Sequence, residues 1–145
     1  MDISPGLAAV IVLGNTLSAK MAMSFGWRLH ELLGVYAPGI FGSQDSIKKM
    51  LGGPRYKNMA KAQLNEAEYA GPMAAMLLYL HTKNVEAPLA CTLAAISGPL
   101  YFWGRTITGT ALPFTPLGAM PRYHAFALLI AAVYGTRLQR CGFEF

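Results

Sequence analysis

The stretch Lys61-Ala62-Gln63-Leu64-Asn65-Glu66-Ala67-Glu68-Tyr69 gathers an ammonium, two amides, two carboxylates and a phenol at the head of a segment that then runs apolar to Leu80. Wound as a helix, it lines residues 61, 65, 68 and 72 along one face. In apolar surroundings such a face is costly unless each group has a partner. Either a bound ligand or neighbouring helices must supply those partners, so the question is what the rest of the chain brings beside it.

The composition points to a lipid environment. Of 145 residues, 54% are hydrophobic and only 13% charged, with eight Met, so the chain is read as a single membrane domain, 1–145. The net charge is +5, but the basic residues sit at the ends of apolar runs, without the basic stripe and interleaved aromatics of a nucleic-acid binder. Nucleic acid is therefore not an expected partner. Cys91 and Cys141 are too few for a disulfide framework, and His30, His81 and His124 lack metal-ligand spacing, so no metal is expected. Asp2 stands where a signal peptide would be basic, which makes the first apolar segment a retained anchor.

Four segments must position the polar stretch. The first, Pro5 to Trp27, is about 34 Å long as a helix, enough for a hydrocarbon core of about 30 Å. It is interrupted by Asn15 and Lys20 and closes on Trp27-Arg28-Leu29-His30, an interfacial ending. A Gly-, Pro- and Lys-rich loop over 31–60 follows. The second segment, from Asn58 to Leu80, contains Pro72 and joins the third by a short link, His81 to Glu86, so the two should run antiparallel. The third ends at Tyr101-Phe102-Trp103-Gly104-Arg105; after a Thr/Gly/Pro loop, Thr106 to Pro121, the fourth begins near Arg122. The expected fold is an all-α four-transmembrane-helix bundle with helices over about 5–29, 58–81, 87–105 and 121–138. Eight Lys and Arg flank or fill the two long loops, against three on the other side (Lys83, Arg137, Arg140), which places both loops in the cytosol.

This topology brings the end of helix 1, the start of helix 2, the end of helix 3 and the start of helix 4 to one level, where convergent polar groups make a small-molecule site. Lys20 lies about 12 Å below the interface, the depth also reached by Glu68, so a pair between Lys20 and Glu68 (or Glu66) is expected inside the bundle.

The run Ala62-Gln63-Leu64-Asn65-Glu66-Ala67-Glu68-Tyr69, followed by Pro72 and by Tyr101-Phe102-Trp103-Gly104 at the end of the third segment, resembles the membrane-associated proteins in eicosanoid and glutathione metabolism. The resemblance implies a homotrimer that binds glutathione between subunits near the cytosolic side. A lipophilic partner would enter from the membrane lipid, and the setting would be the endoplasmic reticulum or another intracellular membrane. Enzymes of the family are glutathione transferases, peroxidases, or leukotriene and prostaglandin synthases; other members bind lipid without catalysis. Carried over, Gln63, Asn65, Glu68, Tyr69 and Tyr101 match glutathione contacts, and Arg28 resembles the basic residue closing helix 1. Lys61 departs from a common arginine, keeping the charge without the planar fork that grips a carboxylate at two points. Arg105 stands where a second tyrosine is common, and the arginine that several family enzymes carry further on is missing from Thr108-Gly109-Thr110-Ala111-Leu112.

That departure bears on catalysis. A free thiol is only a few per cent ionised at neutral pH. Making it mostly thiolate takes roughly 3 kcal/mol of differential stabilisation, within reach of one arginine in a partly desolvated site. The expected activity is a glutathione-dependent transferase or peroxidase acting on lipophilic electrophiles, with Arg105 or Arg122 (Arg28 as an alternate) holding the thiolate. The alternative is a lipid- or ligand-binding protein of the same fold without catalysis.

Overall fold

A computed structural model describes residues 3–36, 45, 49, 52–108 and 113–140. Among these residues the chain is all-helical, and each helix begins on a local signal. Helix α1, Pro5–Tyr36, opens with Pro at its first position and the Ser4 hydroxyl accepting from the Leu7 amide at 3.3 Å. Helix α2, Pro54–Thr82, again starts on Pro, behind an extended Gly53. It ends in a Schellman turn: the Val85 amide reaches back to the Leu80 carbonyl at 3.0 Å and the Asn84 amide to His81 at 3.1 Å. Asn84 takes the left-handed conformation that closes this turn, at φ 52°. Helix α3, Pro88–Thr108, follows at once, antiparallel to α2, and α4 spans Phe114–Arg140.

The four helices are those expected, but α1 and α3 run on to Tyr36 and Thr108, past the expected 29 and 105, and α2 and α4 begin at Pro54 and Phe114, before the expected 58 and 121. The long loops shorten accordingly. Pro116 and Pro121, read as loop residues, fall within the first turns of α4. On length and composition, α1 alone among the described helices is apolar enough to cross a membrane, over Pro5–Phe25.

α3 packs most extensively on α4 and α1 on α2, with α1 also touching α3 and α2 touching both α3 and α4. Two apolar clusters fill the interior. The larger includes Val12 from α1, Met73, Leu77 and Leu80 from α2, Cys91 and Ala94 from α3, and Leu129 from α4. The smaller joins Ala19, Ala62, Tyr101 and Phe102. Between the two clusters every helix contributes something other than an apolar side chain: Asn15, Glu66, Gly98 and Arg122. This polar layer is the centre of the molecule's chemistry.

Candidate functional site: a buried arginine–glutamate layer and the arginine above it

Glu66 and Arg122 form an ion pair through Oε2 and Nη2, with only 4% and 3% of their side chains exposed. A pair this deeply buried stabilises only if the remaining lone pairs and protons are also satisfied. Two asparagines and two aromatic rings supply further partners. Asn15 Nδ2 donates to the second carboxylate oxygen, Glu66 Oε1, at 2.9 Å. Arg122 Nη1 donates to Asn65 Oδ1 at 2.7 Å. The guanidinium also lies over two aromatic rings, 4.8 Å from the Tyr101 centroid and 5.4 Å from that of Tyr69.

Space for the layer comes from two glycines. A Cβ on Gly98 would collide with Glu66 Oε1 and stand 2.6 Å from Asn15 Nδ2, so α3 must be bare where the carboxylate passes. A Cβ on Gly118 would lie 2.6 Å from the Tyr101 backbone nitrogen, so α4 can approach α3 only through glycine.

Arg105 occupies the same neighbourhood on different terms. It stacks on Tyr101 from one turn along α3, at 5.1 Å from the ring centroid, and is 8% exposed. Its Nε is buried without a hydrogen-bond partner, and no carboxylate pairs with it among the described residues. Two buried arginines thus share one tyrosine, and among the described residues only Arg122 has a carboxylate partner. Arg122 is committed to Glu66 and Asn65. Arg105 keeps its charge and at least one donor for something else.

The other expected residues divide by face. At roughly 100° per residue, the buried side of α2 carries Ala62, Glu66, Ala70, Met73 and Leu77. Lys61, Glu68 and Pro72 are exposed, and Asn65 and Gln63 lie at the border, half-buried. Of the two sources of partners left open for the row 61/65/68/72, the bundle supplies one only to Asn65, through Arg122, while Lys61, Glu68 and Pro72 lie on the outside. Tyr69 is half-buried, edge-on to Tyr123 and Phe126 at 6.0 and 5.7 Å. Arg28 lies on α1, its side chain outside the described residues, and 109–112 also lie outside them.

The expected Lys20–Glu68 pair is not formed: both side chains are exposed, and among the described residues the only ion pair is Arg122–Glu66. Depth alone suggested that pair, and azimuth decides against it. Lys20 sits five residues past Asn15, roughly 140° around the helix, while Asn15 holds the inward position. Asn15 was legible as an interruption of an apolar run and nothing more. The signal that it is a partner is that a polar side chain inside an apolar helix must be satisfied by a neighbour.

No model of a known protein family, no characterised protein and no solved structure matches this chain.

Proposed function

We propose that this protein is a membrane-embedded, glutathione-dependent transferase or peroxidase, in which Arg105 holds the glutathione thiolate for attack on a lipophilic electrophile. The observation that carries the reading is the contrast between the two arginines. A cation already paired with a carboxylate does little for a second anion, whereas a desolvated, uncompensated guanidinium attracts one strongly. Among the described residues Arg105 meets that description and Arg122 does not. The outward row of Lys61, Asn65 and Glu68 then offers the tripeptide a cation, an amide and a carboxylate on the same side of α2. Because that row is exposed on the single chain, it is suited to a ligand held against a second copy, in keeping with a homotrimer.

The distribution of side chains supports the lipid setting. Val10, Leu17, Met21 and Phe25 form an exposed apolar row on α1, and Ile107, Met120, Ile130 and Tyr134 are exposed on α3 and α4, while Arg105, Arg122 and Glu66 are turned inward. Apolar residues outward and charges inward is the arrangement of a bundle whose solvent is lipid. The Lys and Arg counts favour the cytosol for the end of the bundle where α1 and α3 finish and α2 and α4 begin, in an intracellular membrane if the cell is eukaryotic.

The test is conjugation of a generic aryl halide with glutathione by detergent-purified protein. Turnover is expected, and Arg105→Ala should lower kcat/KM by about a hundredfold, the cost of losing one charged contact made to the reacting anion. Arg105→Ala at full activity would remove the assignment. A second reading, ligand binding without chemistry, is favoured by the absence of arginine from Thr108 to Leu112; glutathione binding with no turnover of any electrophile would select it.

A further inference from the structure

Arginine has only donors, and a carboxylate only acceptors. The edge of Asn65 that meets Arg122 Nη1 at 2.7 Å must therefore be its carbonyl oxygen, not its NH2. The same logic orients Arg122 itself: Glu66 takes Nη2, and Glu66 is held in turn by the Asn15 amide at 2.9 Å. The planar amide of Asn65 is thus turned with its oxygen inward. Its Nδ2 is left on the other edge, with no acceptor among the described residues. That edge belongs to the outward row of α2, with Lys61 one turn before it and exposed Glu68 one turn after.

We infer that Arg122 is a positioning residue: through Asn65 it makes the outer face of α2 a donor at its centre, so that the ligand group bound there is an acceptor. With Lys61 beside it, the group is a carboxylate. With Glu68 on the far side, the same ligand carries an ammonium a few ångströms away. A terminal α-amino acid has that layout. The inference rests on the glutathione reading for the identity of the ligand, but not for the orientation of Asn65. It gives the buried layer a purpose that core packing does not require. An apolar layer of equal volume would hold the four helices as well, but it would leave the Asn65 amide free to turn over.

Two measurements on the full-length protein in detergent test it. In the first, the protein is labelled with 15N-asparagine and the Asn65 side-chain amide is assigned by its loss in Asn65→Asp. The expected result is an NH2 that exchanges freely with water and shifts when reduced glutathione is added. An NH2 protected from exchange in the free protein overturns the orientation. An NH2 that exchanges freely, in a protein that does not bind glutathione, upholds the role of Arg122 and overturns the glutathione reading. In the second, Asn65→Asp keeps an acceptor for Arg122 and so should keep the melting temperature. It replaces the outward donor with an acceptor, and glutathione affinity should fall by more than about tenfold. Unchanged affinity overturns the inference. The paired variant Glu66→Gln/Arg122→Gln avoids a lone buried charge and lets residue 122 offer Asn65 either a donor or an acceptor. It should raise KM for glutathione about tenfold while kcat moves less; an equal fall in kcat with KM unchanged overturns the positioning role.

Discussion

Two buried arginines stacked on the same tyrosine, Tyr101, show how little residue type says about role. Arg122 is 2% exposed and bound to Glu66 and Asn65; Arg105 is nearly as buried and keeps an unpartnered Nε. Their expected responses to mutation differ accordingly. Removing Glu66 leaves Arg122 as an uncompensated buried cation, so Glu66→Ala should destabilise the protein by about 3–5 kcal/mol, read as a large fall in the detergent melting temperature. Replacing both members by Met should cost far less, because the desolvation penalty leaves with the charges. Arg105→Met should leave the melting temperature unchanged or raised, since it removes a desolvated charge that has no carboxylate partner among the described residues, while abolishing whatever anion binding Arg105 supports.

At the scale of the elements, glycines and one asparagine set what the helices can do. Gly118 lets α4 lie against the Tyr101 backbone, and Gly98 leaves α3 open where Glu66 crosses it. Gly118→Ala cannot be absorbed by a flexible side chain, because what it meets is backbone. It should separate α3 from α4 and lower the melting temperature together with activity. Gly98→Ala meets movable side-chain ends, so it should disturb the Asn15–Glu66 hydrogen bond first. At the end of α2, Asn84 holds a left-handed conformation. Asn84→Ala should lose about 1 kcal/mol in thermal unfolding and Asn84→Gly should not, since only the side chain's Cβ opposes that backbone.

For the molecule as a whole, the four long helices of the described residues enclose a polar layer set between two apolar clusters, with a charged row left on the outside. If the outer surface meets lipid and a second copy, the protein should stay in the membrane pellet after alkaline carbonate washing. Its detergent complex should have the protein mass of three chains by light scattering. Release into the wash would remove the lipid-facing reading, and a monomer mass would leave Lys61, Asn65 and Glu68 without a neighbouring subunit.

Much of this was legible in the sequence. Apolar runs of near-bilayer length and the short link after Leu80 determined four helices and the antiparallel order of α2 and α3. The convergence of Arg122, Tyr101, Asn65 and Glu66 at one level followed from that order. What sequence did not decide was azimuth. A depth along a helix comes from counting residues, but which neighbour a side chain meets depends on the rotation of each helix about its own axis. Packing sets that rotation, through glycines at 98 and 118 and the apolar rows on either side of them. For that reason Lys20 was a reasonable partner by depth and the wrong one in space. For the same reason, two arginines of equal standing in the sequence became one brace paired with Glu66 and one cation without a carboxylate partner among the described residues. The tertiary structure also divided the polar stretch that opens α2: Glu66 turned inward to hold the bundle, and Lys61, Asn65 and Glu68 turned toward whatever lies outside it.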